Sequence, residues 1–285
     1  MDDKKPASGL SLEAVTDWWE SEITDIAPGS IRVRGYRIEE LIGRVGFSSM
    51  IWLVLRGELP TQQQADLFGA VLVAGVDHGP QAPSISIARM AITCGIGING
   101  AIASGVNALG DVHGGAGQQC MELLGDIHRR HAGGMDLSEA VTAGLDVFRA
   151  KHGRFIPGFG HRFHPVDPRS ARLAELIKSA AREGVVTGKY LSVGDAVQQS
   201  LSHGKPASLP MHVDGITAVL LLELGFAPEM GRGIFVLSRS VGICAHAFEQ
   251  SQRGERIKGP TPPEFGFRYT GVPPRNLPDD KDLPR

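Results

Sequence analysis

Cysteines, aromatic residues, excess charge and long apolar runs are all scarce in this sequence, and each scarcity excludes a class of protein. The three cysteines, Cys94, Cys120 and Cys244, are odd in number, far apart and set among small apolar residues, so a disulfide framework is disfavoured and a reducing, cytoplasmic setting is expected. The formal net charge is only −2, and Lys and Arg are dispersed rather than collected in tracts. Neither nucleic acid nor a membrane surface is therefore an expected partner. The longest apolar runs, such as Ile216 to Leu222, are too short to span a bilayer, and the opening MDDKKPASGL lacks the apolar centre of a secretory leader. No internal repeat, HExxH or CxxC pattern is present, and no metal is expected.

What is present is enough apolar material, 42% of 285 residues, to bury a large core in one large or two modest domains. Ile31 to Ile38, punctuated by Pro28-Gly29 and Gly35, alternates apolar and polar residues like a short hairpin, the one strand signal in the chain. Elsewhere the periodicity is helical. Leu12 to Glu20 follows a serine cap, Ser48 opens a run that stops at Gly57, and Thr61 caps another that ends beside His78. The Gly-, Ala- and Ile-rich stretch Ile85 to Leu109 suits close helix packing. Further amphipathic helices are predicted over Gly117 to Arg130, Leu137 to His152, Pro168 to Arg182, Val193 to Ser202, Gly215 to Leu224 and Glu229 to Arg253. The tail beyond Gly271, rich in proline and charge, reads as extended. The expected class is all-α with a short N-terminal β-hairpin.

Three loops between these helices combine glycine or proline with ionisable residues: Gly110-Asp-Val-His113-Gly-Gly-Ala-Gly117, Pro157-Gly-Phe-Gly-His161-Arg-Phe-His164-Pro-Val-Asp-Pro-Arg169, and Pro210-Met-His-Val-Asp214-Gly215. They place His113, His161, Asp214 and Arg169 at helix ends, where side chains from distant segments converge, and Arg239 joins them from a later helix. Taken singly, each reads as readily as a cap or a packed residue. A metal cluster at His161, His164 and Asp167 is disfavoured because Pro165 and Pro168 break any regular ligand face. Ser240 lies in Ser-Arg-Ser-Val-Gly, not in a nucleophile elbow, and Gly158-x-Gly160 completes no dinucleotide fingerprint.

As an ordered set, however, GDVHGGA, GFGHRFHPVDPR and HVD, preceded by DHGP at Asp77 to Pro80 and followed by SRSVGICAHAFEQ at Ser238 to Gln250, resemble the citrate synthase superfamily. The resemblance runs from about Ile23 to Gly271. DHGP looks like the citryl-CoA lyase branch, including the lyase module of ATP-citrate lyase, where synthases have Asp-His-Glu; ITDIAPGSIRVRGYRIEELIG looks like synthase. The resemblance implies a large helical domain, 1–113 and 214–285, and a small one, 114–213, closing over the site. It implies His113, His161 and Asp214 as catalytic residues. His113 matches the donor to the thioester oxygen, His161 the group on the ketone or hydroxyl oxygen, and Asp214 the acid–base at the acyl carbon.

By the same resemblance His78, Arg169, Arg239 and Lys258 bind the carboxylates of the oxaloacetate part. The backbone of Ile156, Pro157, Gly158, Phe159 and Gly160, with Arg162 and Lys205, meets coenzyme A. The implied reaction is retro-Claisen cleavage of (S)-citryl-CoA to acetyl-CoA and oxaloacetate, with the thioester as substrate and no permanent cofactor. The synthase direction, a related Claisen reaction on another 2-oxo acid or acyl-CoA, and an inactive CoA-binding regulator are the alternatives. The implied assembly is a homodimer or a dimer of dimers. Two departures stand out: Gly259-Pro260 replaces the synthases' Arg-Pro, with Lys258 where the arginine falls in lyase register, and His212 replaces the asparagine before Val-Asp.

Overall fold

The computed structural model describes residues 17–160, 166–204 and 208–277. After a 3₁₀ turn at Asp17–Trp19, three short strands form an antiparallel sheet in chain order: β1 (Thr24–Ala27), β2 (Ser30–Val33) and β3 (Tyr36–Arg37). Pro28-Gly29, with Gly29 at φ +76°, makes the first turn; Arg34 and Gly35, both at positive φ, make the second in the twist-compatible hairpin form. The expected hairpin is thus the second half of a larger sheet, and β1 is an addition to the sequence reading. The Arg34 side chain bonds the carbonyl of Val54 through Nε and Nη2 at 3.2 and 2.9 Å, which ties the sheet to the helices.

The remaining elements are helical: α1 (Ile38–Leu41), α2 (Phe47–Arg56), α3 (Gln62–Gly75), α4 (Pro83–Thr93), α5 (Ile98–Asn107), α6 (Ala116–Ala132), α7 (Leu137–His152), α8 (Pro168–Arg182), α9 (Lys189–Ser202), α10 (Val213–Glu223) and α11 (Met230–Gln252). Their ends follow local chemistry. Gly57, at φ +90°, closes α2 in the left-handed conformation, and Thr61 with Gln64 forms a complete capping box on α3. The stretch expected as helix over Ile85 to Leu109 is two helices, broken where Gly95 takes φ +91°. Of the helix expected over Leu12 to Glu20, Asp17–Trp19 form the 3₁₀ turn and Glu20 is not helical; residues 12–16 lie outside the described residues.

α10 is the axis of the packing. Its Ile216, Ala218, Val219 and Leu220 are at most 1% exposed and belong to one core cluster with Phe68 of α3, Leu124 of α6, Leu145 of α7, Ile177 of α8, Val197 of α9 and Ile234 of α11. A helix buried on all sides carries no polar face, which is why Ile216 to Leu222 reads as a continuous apolar run. An aromatic triad closes one end: Phe68 stacks on Phe226 at 5.2 Å, and Trp52 meets both edge-on at 5.7 and 5.1 Å. Ile85, Ala101 and Ile243 form a second cluster joining α4, α5 and α11.

Truncating Phe68 removes a ring with no exposed surface and opens a cavity beside Trp52 and Phe226. Phe68→Ala is expected to cost about 3–5 kcal/mol in urea unfolding. Thr61→Ala, which removes only the capping box, is expected to cost about 1 kcal/mol.

Candidate active site

The loop ending at Gly160 and the loop that leads into α10 are bound to one another by backbone. Gly160 N donates to Pro210 O at 2.8 Å, His212 N donates to Gly158 O at 2.9 Å, and Phe159 bridges Met211. The contact demands glycine on both sides: a methyl at Gly215 would sit 2.4 Å from Gly158 O, and one at Gly158 would sit 2.7 Å from the Gly215 Cα. Asp214 therefore stands in the first turn of α10 beside the Gly158–Gly160 segment. His212, as N-cap, accepts the Asp214 N–H through Nδ1 at 3.3 Å and places Nδ1 3.6 Å from the Asp214 carboxylate.

Asp167 organises the next part of the site. As N-cap of α8, with Pro168 at the first helical position, it is fully buried and accepts four N–H groups. Oδ1 takes the backbone N–H of Arg169 at 3.1 Å and its Nε at 3.0 Å; Oδ2 takes Arg169 Nη2 at 2.9 Å and Val213 N at 3.0 Å. Burial opposes the charge, but the Arg169 guanidinium and the Val213 amide outweigh it and hold the carboxyl at about 2. The carboxylate thereby fixes both Arg169 and the residue preceding Asp214. Its oxygens are committed to these donors, which leaves none directed at a metal.

Arg169 Nη1 reaches the carbonyl of Ala74 at 3.4 Å, and the buried Arg239 donates Nε to Gly75 O at 2.9 Å with its guanidinium 4.8 Å above the Phe235 ring. Two arginines thus meet at the last turn of α3, where unpaired carbonyls favour cations. Burial lowers the pKa of Arg239, and the charges of Asp214 and Asp77 oppose that shift.

His113 approaches from the loop before α6. Its Nε2 accepts the Ser84 N–H at 3.2 Å and lies 3.0 Å from Ser84 Oγ. Ser84 is in the first turn of α4, so this N–H is one of the unpaired donors of a helix start. Because Nε2 accepts, the neutral ring carries its proton on Nδ1. Burial and the Arg239 charge lower the His113 pKa, partly opposed by Asp214, and favour that neutral form. Beneath the site, burial first and the Asp214 charge second push the Cys120 thiol up, so it is a protonated filler.

His78, His113, Arg169, Asp214 and Arg239 line one cavity of about 140 Å³, with Phe235 as an apolar wall. Five of the residues singled out in the sequence are therefore together. Ile156, Pro157, Gly158, Phe159 and Gly160 run beside the start of α10 rather than along this cavity. Lys258 is elsewhere: its backbone N–H bonds Thr93 Oγ1 at 2.9 Å and its ammonium pairs with Glu255 at 2.5 Å. His161, Arg162 and Lys205 lie outside the described residues. Sequence reasoning missed Asp167 and Ser84 as site-builders. The Asp-Pro-Arg spacing signals the first as an N-cap, whereas nothing local marks Ser84.

A nearly all-helical protein that gathers two imidazoles, two guanidiniums and one carboxylate around a small cavity defines a recognisable class, that of the citrate synthase-like fold. The family described as "Citrate synthase, C-terminal domain" matches residues 14–75 and 64–261, and the chain belongs to the citrate synthase family. The citrate synthase of Haloferax volcanii is 29% identical over 219 residues, covering 76% of this chain and 53% of its own. That of Deinococcus radiodurans is 30% identical over 233 residues, covering 80% and 57%. The chain thus spans about half the length of the curated relatives it matches. Among solved structures, citryl-CoA lyase from Hydrogenobacter thermophilus superimposes with a TM-score of 0.81 at 31% identity, over 92% of this chain and 98% of that one. ATP citrate lyase from Methanothrix soehngenii, in complex with citrate and coenzyme A, shares the fold at 21% identity with a TM-score of 0.74, over 94% of this chain and 45% of that one.

A carboxyl held at about 2 when folded contributes stability that is complete above the unfolded pKa near 4 and is lost as pH falls towards 2. The unfolding free energy of the wild type is expected to drop by about 2 kcal/mol across that window from this group. Asp167→Asn, compared by urea denaturation at each pH, is expected to be less stable at neutral pH and to lack this part of the acid dependence.

Proposed function

We propose that the protein is a citryl-CoA lyase-type enzyme that cleaves (S)-citryl-CoA to acetyl-CoA and oxaloacetate. The observation that carries this reading is the cavity itself, where two guanidiniums and two imidazoles surround a single carboxylate. Paired guanidinium N–H groups suit the carboxylates of a small diacid, and the volume suits the acyl part of a thioester rather than the whole coenzyme. The superposition on a citryl-CoA lyase, with a TM-score of 0.81 at 31% identity, supports the lyase branch.

In cleavage, His161 takes the proton of the tertiary hydroxyl, the role that resemblance assigns it. The carbon–carbon bond then breaks, its electron pair passing into the thioester as an enolate while the hydroxyl carbon becomes the ketone of oxaloacetate. His113, protonated on Nδ1, donates to the enolate oxygen. A neutral donor held by a backbone amide is well suited to this task, because it stabilises charge that develops only in the transition state. Asp214, as the acid, protonates the enolate carbon to complete acetyl-CoA and is left as the carboxylate. Arg169, Arg239 and His78 hold the two carboxylates of the departing oxaloacetate.

In the same reading, 114–213 closes as a small domain over 1–113 and 214–285, and Ile156 to Gly160 with Arg162 and Lys205 receive coenzyme A. Lys258 serves the site of a partner in a cytoplasmic homodimer or dimer of dimers. The curated relatives named citrate synthase favour a second reading, condensation with hydrolysis to citrate, which traverses the same bond change in reverse.

The test supplies citryl-CoA in one assay and acetyl-CoA with oxaloacetate in another. Oxaloacetate formation in the first supports the lyase reading, whereas free thiol released only in the second rejects it in favour of the synthase. Asp214→Asn is expected to lower kcat by about 10²–10⁴-fold while coenzyme A still binds by calorimetry.

A further inference from the structure

Arg239 does not use up the motif Ser238 to Gln250. Three residues on successive turns of α11, Arg239, Gly242 and His246, meet the segment that leads into His78. Arg239 bonds Gly75 O, as described. A methyl at Gly242 would lie 2.4 Å from Val76 O and 2.9 Å from Asp77 Oδ1, so only glycine admits the segment this close. One turn on, His246 Nε2 lies 3.3 Å from Asp77 Oδ1, and its Nδ1 lies 3.1 Å from Arg89 Nη1.

A guanidinium only donates, so Nδ1 of His246 is the acceptor and the ring proton of the neutral form sits on Nε2, directed at Asp77. Arg89, 9% exposed on α4, is held in turn by Glu249 at 2.6 Å, and Glu249 by Arg253 at 2.9 Å. The other oxygen of Asp77 accepts the Gly79 N–H at 3.1 Å, closing a turn around His78. Burial opposes the charge on Asp77, yet the Gly79 amide and His246 keep its carboxyl below the usual range. The whole chain of contacts leads from a buried arginine to the backbone on either side of a cavity residue.

We infer that His246 is a positioning residue, which transmits the Arg89–Glu249 pair onto Asp77 and so holds His78 towards the carboxylates of the substrate. This rests on the cavity being the acyl site of citryl-CoA. Its effect falls on binding of the dicarboxylate part and not on bond cleavage, because His246 itself does not line the cavity.

His246→Ala removes the donor to Asp77. It is expected to raise KM for citryl-CoA about tenfold, the loss of one hydrogen bond to a charged group, with kcat little changed. His246→Gln, whose amide N–H can replace Nε2 towards Asp77, is expected to restore most of that loss. In a His78→Ala background, His246→Ala is expected to add nothing, since the two act as one unit. An unchanged KM in His246→Ala, or a rise that persists in full without His78, overturns the inference. Amide hydrogen exchange decides it without turnover. Faster exchange at Val76 to Gly79 in His246→Ala, with α4 and α11 unaltered, supports positioning; unaltered exchange there rejects it. Wild-type protein that fails to cleave citryl-CoA would reject the functional reading alone, leaving the exchange result to stand on its own.

Discussion

The site depends on one buried carboxylate. Asp167 has no exposed surface, and a lone charge in that position would be severely destabilising. Two backbone N–H groups and two N–H groups of one guanidinium offset the loss of water, and those donors belong to the two elements that must be brought into register: the start of α8, with Arg169, and the start of α10, with Asp214. One ion pair therefore sets the distance between a cavity-lining cation and the candidate acid–base. The close approach of Gly158 to Gly215 fixes the same helix start from the opposite side.

Around that anchor, the electrostatics separate two kinds of group. The arginines are fixed positive charges seated on helix carbonyls, suited to an anionic ligand. His113, by contrast, is kept towards neutrality by burial, by Arg239 and by a helix N-terminus, which suits a hydrogen-bond donor to an oxygen that becomes charged. Charge and neutrality are thus set largely by helix ends and packing, with Arg239 acting on His113 from within the cavity. The Asp77–His246 contact is a third example of a cavity residue governed from behind.

Much of the architecture was legible because helix ends are written locally. Gly57, Thr61 with Gln64, and Asp167-Pro168 name their boundaries by chemistry that needs no distant partner. Strand β1 was missed because Thr24–Ala27 is four exposed residues whose order comes from pairing with β2 and not from an apolar face. The break within 85–109 was concealed by uniform small-residue composition. For the site, His78, His113, Arg169, Asp214 and Arg239 were legible only as an ordered set of motifs, since each alone resembles a cap. Ser84 and Arg89 were not, because their roles arise from contacts with His113 and with His246 and Glu249, far along the chain.

The attachment of both cavity arginines to Ala74 and Gly75 places them at one end of α3, while Phe68 of the same helix sits in the aromatic triad with Trp52 and Phe226. An anion that draws on the guanidiniums therefore loads the last turn of a helix whose middle is seated in the buried core. Any ligand held by these arginines in the folded protein raises the stability of the whole fold by mass action, so occupancy of the pocket and cohesion around Phe68 are linked without direct contact.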